Sequence, residues 1–149
     1  MRILIDSNVI LELVLQREQV DVANRLVGML HEGKHEMLMT SGGFYGLVYT
    51  IDKYLRQVMK LQNPERINTL RSIMIQILHM FDVIGQDKQT FLKGIGDINF
   101  NDIEDSCQHQ AAVESECDCL VTFNVKDYQG VTSLLVLSPQ EFITKFLTQ

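Results

Sequence analysis

Three apolar residues, Ile3-Leu4-Ile5, open the chain and break abruptly into Asp6-Ser7-Asn8. An apolar run closed by turn-forming residues predicts a strand buried on both faces, here over residues 2–6, with a polar tip. The same signature recurs at Met37-Leu38-Met39, Phe81-Asp82-Val83-Ile84, Cys119-Leu120-Val121-Thr122 and Leu134-Leu135-Val136-Leu137. Between these runs the apolar positions fall at helical spacing. Residues 9–16 and 20–32 predict two helices, the second stopped by Gly33. A third spans residues 44–60 on Phe44, Leu47, Val48, Ile51, Leu55, Val58 and Met59. Asn63 caps a fourth that runs to about residue 79, with Pro64 in its first turn. Residues 87–95 and 102–116 predict two more, and Ser138-Pro139 caps a last one to about residue 147. Strands alternating with helices imply a three-layer α/β/α sandwich. Its central sheet is expected to be mostly parallel, with four to five strands. No repeat or linker interrupts the pattern, so residues 1–149 are expected to form one domain.

Composition removes several classes. A hydrophobic content of 46% belongs to a globular chain, not a disordered one. No apolar run approaches the roughly 20 residues of a membrane span. Asp6 interrupts the only N-terminal apolar run, so no signal peptide is expected. The odd set Cys107, Cys117 and Cys119 then points to reduced thiols in the cytoplasm. Cys117-Asp118-Cys119 has no second ligand pair for structural zinc. Met29, Met37, Met39, Met59, Met74 and Met80 read as core filler. The net charge of −6 excludes a general phosphate-backbone binder. Nucleic acid would have to be met through metal ions or a local basic patch. Lys53, Arg56 and Lys60, flanked by Tyr49 and Tyr54, make such a stripe; it is either a solvated face or a rest for nucleic-acid phosphates.

The candidate chemistry lies in acids at strand and helix ends. Ligands of open parallel sheets sit at the carboxyl ends of the strands, where Asp6 is placed. In Asn101-Asp102-Ile103-Glu104-Asp105, a helix beginning near Asn101 puts Asp102 and Asp105 on one face and Glu104 to the side. These acids are either a helix-start signature favoured by the dipole or hard oxygen ligands for Mg²⁺ or Mn²⁺. Crowded carboxylates are costly without a cation, so a buried cluster would imply one. Asn124 and Asp127 follow the strand at 119–122 and meet Asp6 if the first and fourth strands are neighbours; otherwise they are turn residues. Gly42-Gly43 reads as a loop with unusual backbone angles entering a helix, or as a phosphate seat at that helix start. Among the histidines only His109, one turn after Asp105, is placed to face the pocket.

Several of these segments resemble the PIN domain (PilT N-terminal) family, in particular its VapC-like bacterial ribonuclease group. They are Ile3 to Leu11, Phe100 to Asp105, Asp118 to Tyr128, and Val136 to Ile143, in the family's order along nearly the whole chain. The resemblance implies a helix-sandwiched parallel sheet in which three or four acids bind one or two divalent ions that cut RNA. It gives Asp6 and Asp105 the roles of family acids, with Asp102 or Glu104 in support. Asn124 stands where the fourth acid is common, and Asp127, three residues on, partly replaces it. Asp6, Asp105 and Asp127 are then the expected Mg²⁺ or Mn²⁺ ligands, with Asn8 and Thr122 bracing the site. The resemblance also implies an antitoxin partner that inserts an Arg or apolar segment near the acids, and a homodimer. Two departures stand out. The family's Glu after the second strand falls at Gly46, with no acid from Thr40 to Ile51, and Asn124 is neutral.

Two function classes compete with the metal-dependent endoribonuclease. One is a degenerate PIN module that binds RNA or protein without catalysis, favoured by Gly46 and Asn124. The other is phosphoryl transfer through an Asp nucleophile. It would need a second Asp two residues after Asp6, where Asn8 stands, or an acidic pair beside it and a Lys at a later strand end, where Thr122 has none beside it.

Overall fold

A computed structural model describes residues 1–147. Five strands form the sheet: β1 (Arg2–Ile5), β2 (Glu36–Thr40), β3 (Asp82–Ile84), β4 (Cys119–Val121) and β5 (Leu135–Leu137). All four neighbouring pairs are parallel, in the order β3-β2-β1-β4-β5. Among the described residues six α-helices lie between the strands, α1 (Ser7–Val14), α2 (Val20–Glu32), α3 (Ser41–Gln57), α4 (Glu65–Met80), α5 (Lys88–Gly96) and α6 (Ile103–Glu114), and α7 (Pro139–Phe142) follows the last. The sandwich expected from the alternation of elements is therefore present, with its sheet wholly parallel.

β1 is buried on both faces because alternate residues feed two cores. Ile3 and Ile5 pack with Val9, Leu26, Leu47, Ile51 and Met74 on one side. Leu4 packs with Leu38, Leu120, Ala112 and Tyr128 on the other. The strand order also fixes where function can reside. From β1 the sheet grows to β2 and β3, and the chain then returns to lay β4 on the other side of β1. This reversal opens a crevice beyond the carboxyl ends of β1 and β4. Ile5 pairs in register with Val121, so Asp6 and Thr122 leave the sheet side by side.

Element ends differ from expectation in instructive ways. α3 begins at Ser41, so Gly42 and Gly43 lie in its first turn and neither has a positive φ. It ends at Gln57, which leaves Val58 and Met59 beyond the helix, 62% and 52% exposed. Met80, the last residue of α4, is also exposed, so the methionine core consists of Met37, Met39 and Met74 with Met29 at its edge. α2 stops at Glu32, but Lys34 rather than Gly33 adopts the left-handed conformation. The last helix is short: α7 passes into a π-helical turn at Ile143. Its start follows the Ser138 signal, since Ser138 Oγ accepts from Glu141 N and Glu141 Oε2 accepts from Ser138 N.

α5 packs directly on α6, and Gly94 makes this approach feasible. A Cβ there would lie 2.8 Å from both Cα and Sγ of Cys107. Backbone cannot yield as a side-chain tip can. Gly94→Ala is therefore expected to destabilise the fold by about 2 kcal/mol, the usual scale of overpacking. Equilibrium urea unfolding reads the loss; an unchanged midpoint would show that the helices separate freely.

Candidate active site

Asp6 caps α1 and at the same time faces the crevice. Its Oδ1 accepts from Asn8 N at 3.2 Å. Its Oδ2 accepts from Thr122 Oγ1 at 2.8 Å and from Gln108 Nε2 at 3.2 Å. The residue is only 8% exposed, so these donors supply most of its solvation. Thr122 is in turn held by Asn8 Nδ2 at 3.1 Å and by the backbone N–H of Asn124 at 3.0 Å. Asn8 Oδ1 accepts from Phe123 N. Asn8 and Thr122 thus tie the tip of β1 to the tip of β4.

Asp105 reaches the same crevice from α6. Asp102 is the N-cap of that helix, and its carboxylate accepts from Asp105 N at 2.9 Å. The helix starts one residue later than a cap at Asn101 would give, which turns Asp102 to a local, exposed role. Glu104 replaces it at the cleft: Asp6, Glu104, Asp105 and Gln108 all line one cavity of about 270 Å³. Gly42, Gly43 and Gly46 of α3 line it too, with the exposed apolar Phe91, Ile95 and Ile103 at its rim. Asp127 and Asn124 are exposed in or beside the 3-10 turn Val125–Tyr128 and do not line this cavity. Asp127 is nevertheless near enough for its charge to act on Asp105.

Two polar residues that sequence reasoning did not single out join the acids. Tyr128, 2% exposed, donates its hydroxyl hydrogen to Asp105 Oδ1 at 3.2 Å. Gln108 Nε2 donates to that hydroxyl oxygen at 2.9 Å as well as to Asp6. An unbroken hydrogen-bonded path therefore runs from Thr122 through Asp6, Gln108 and Tyr128 to Asp105. The available signal was positional: Gln108 stands four residues after Glu104 and three after Asp105, on the face that any cleft-lining acid here must share. His109 turns away. It pairs with Thr132 Oγ1, lies against the Phe100 ring, and burial holds its imidazole below the usual range.

The first turn of α3 is not a free phosphate seat. Gly42 N donates to Gln86 Oε1 at 2.9 Å and Gly43 N to Thr40 Oγ1 at 2.9 Å, so two of its amides already have partners. A Cβ at Gly42 would lie 2.9 Å from Gln86 Oε1, the movable end of that side chain.

Electrostatics single out Asp105. Burial pushes its carboxyl up to about 6, with further upward pressure from Asp102, Asp6 and Asp127 against the lowering hydrogen bond from Tyr128. A raised folded-state value means that the native protein holds a proton the unfolded chain has already released. Stability therefore falls as pH rises from about 4 to about 6, and the penalty is complete above that window. The full shift corresponds to roughly 3 kcal/mol, which solvent screening at this half-buried group reduces to about 1 kcal/mol. Without divalent ions, Asp105→Asn should melt above the wild type at pH 7.5 and level with it at pH 4. A melting difference that ignores pH would refute this origin.

No group of three or more His, Cys, Asp or Glu side chains placed to hold a metal ion occurs among the described residues. The donors in the cleft are carboxylate oxygens, the ligand type of Mg²⁺ and Mn²⁺, and Mg²⁺ is commonly held by only one or two protein carboxylates. Asp6 and Asp105 fit that pattern.

A parallel sheet with a strand-order reversal and paired acids at the crevice defines an α/β protein with an acidic cleft. The sequence profile of the PIN domain family matches residues 2–126, and the chain belongs to that family. No curated protein matches it. Its fold is similar to FitAcB from Neisseria gonorrhoeae, at 16% identity and a TM-score of 0.67, over 93% of this chain and 98% of that one. It is also similar to VapBC-1 from nontypeable Haemophilus influenzae, at 18% identity and a TM-score of 0.65, over 94% and 99%. VapBC2 from Rickettsia felis, bound to a DNA fragment from its promoter, is similar over 93% and 98%, at 14% identity and a TM-score of 0.65. No helix among the described residues is long and apolar enough to cross a membrane.

Proposed function

We propose that this chain is a divalent-metal-dependent endoribonuclease and the toxin of a toxin–antitoxin pair. The observation that carries the reading is the pairing of Asp6 and Asp105 in one cleft at the strand-order reversal, with Asp105 under electrostatic pressure that a cation would relieve. Asp6 and Asp105 would hold Mg²⁺ or Mn²⁺, with Glu104 and Asp127 adding negative potential. When bound, such an ion supplies Lewis-acid polarisation of the scissile phosphate. The protein's own part is to hold the acids still. Thr122 and Gln108 fix one oxygen of Asp6, and Tyr128 fixes one of Asp105. The antitoxin reading is supported by similarity in fold to a toxin–antitoxin complex from Klebsiella pneumoniae, at 17% identity and a TM-score of 0.64, over 91% of this chain and 96% of that one. The apolar rim of Phe91, Ile95 and Ile103 around the acids suits a partner segment that is apolar with one cationic side chain.

A second reading, a PIN module that binds RNA without cutting it, is favoured by Gly46 on the cleft wall and by the small number of converging carboxylates. Calorimetric titration with Mn²⁺ separates the two. Binding that disappears in Asp6→Ala, together with Mn²⁺-dependent cleavage of RNA, supports the enzyme. No heat of binding at millimolar Mn²⁺ would leave the binding module.

A further inference from the structure

α3 carries a second polar surface away from the cleft. Gly42 and Gly46 line the cleft at its N-terminal end. At 3.6 residues per turn, Tyr45, Tyr49, Lys53 and Arg56 fall within an arc of about 80° that also contains Gly42. Tyr45 and Tyr49 are 73% and 67% exposed, and neither hydroxyl has a hydrogen-bond partner among the described residues. Lys53 and Arg56 are exposed and enter no ion pair there. Asp52, the sole acid of α3, is held by Arg66 at 3.2 Å, so it does not neutralise the pair. On a chain of net charge −6, this face is thus locally cationic, and it begins at Gly42, which lines the acidic cleft.

We propose that this face of α3 is a track for single-stranded RNA, with bases stacked on Tyr45 and Tyr49 and phosphates resting on Lys53 and Arg56. The inference rests on the nuclease reading and extends it by naming the strand's conformation and path. Exposed rings followed by free cations are the combination that single-strand binders use. The spacing argues for an unstacked strand. Tyr45 and Tyr49 are separated by a rise of about 6 Å, well above the roughly 3.4 Å per nucleotide of a stacked strand. Each base must then splay from its neighbour to meet its own ring, which a duplex does not permit. From Gly42 to Arg56 the track is about 21 Å long. A purely apolar partner surface would leave Lys53 and Arg56 without a role, whereas a polyanion uses both.

The test is fluorescence anisotropy with a labelled single-stranded RNA of about a dozen nucleotides and with the same sequence as a duplex, in EDTA to prevent cleavage. Tyr45→Ala/Tyr49→Ala should weaken single-strand binding at least tenfold without moving the thermal midpoint. Lys53→Gln/Arg56→Gln should lower the slope of log affinity against log salt by about 1.4, the value for two phosphates of a single strand. The duplex should bind more weakly and respond little to the tyrosine changes. Unaltered single-strand affinity in both variants overturns the track, as does equal use of duplex. So does sedimentation showing that the tyrosine pair serves to join two copies of the chain, with RNA affinity unchanged. Binding that follows these expectations in a protein that cleaves no RNA with Mg²⁺ or Mn²⁺ would defeat the nuclease reading and leave the track standing.

Discussion

Asp6→Asn should lower RNA cleavage by about 10³-fold while leaving the protein folded. On the proposed function, the activity loss follows from removing one of the two carboxylates that would hold the ion, a deletion comparable in effect to loss of a principal electrostatic stabiliser. Asn still presents one oxygen to Asn8 N, so the cap of α1 survives. The other position, Oδ2, now accepts from both Thr122 Oγ1 and Gln108 Nε2. An amide nitrogen there would face two donors. Thr122 cannot simply turn round to accept, because its oxygen already receives Asn8 Nδ2 and Asn124 N. One buried donor is left unmatched, at about 1–3 kcal/mol. A domain with ordinary stability of about 5–15 kcal/mol tolerates that and stays folded. Cleavage, Mn²⁺ calorimetry and urea unfolding on one preparation separate the effects. Cleavage within tenfold of wild type would remove Asp6 from the chemistry, whatever the unfolding midpoint does.

The skeleton of this site was readable from the sequence because its parts obey one-dimensional rules. A strand buried on both faces must be an apolar run, so the tips at Asp6 and Thr122 were marked by where apolarity stops. What the pattern could not supply was the choice among neighbouring acids. Asp102, Glu104 and Asp105 lie within four residues, and a shift of one residue in the cap decides which faces the cleft. Asp102 took the cap, satisfied a backbone amide and left the cleft to Glu104 and Asp105. Gln108 and Tyr128 escaped notice for a different reason. An amide on a helix and a phenol in a turn carry no pattern of their own. Their role exists only once β4 lies beside β1 and brings the Val125–Tyr128 turn under α6. The tyrosine is nearly fully buried, so its hydroxyl had to find a partner, and the nearest was the acid most in need of a donor.

Gly46→Glu is expected to tighten Mn²⁺ binding by about tenfold, equivalent to about 1.4 kcal/mol. Gly46 lines the same cleft as Asp6 and Asp105, and a Cβ placed on it meets nothing within 4 Å. Packing therefore does not forbid a side chain, and the added carboxylate would supply a third hard oxygen donor. Two further effects have opposite signs. Replacing a mid-helix glycine favours α3 by about 0.5–1 kcal/mol at any pH. A third acid facing Asp105 raises that carboxyl further and deepens the penalty of ionising it above pH 6. Without metal, the variant should melt higher than wild type at pH 4–5 and lose that margin at pH 7.5. With saturating Mn²⁺ the margin should return at pH 7.5, because the ion neutralises the crowded acids. If cleavage also rises, the wild-type cleft is a working site limited by weak metal affinity. Unchanged Mn²⁺ affinity would mean that Gly46 does not face the ion and that the two acids from β1 and α6 define the site alone.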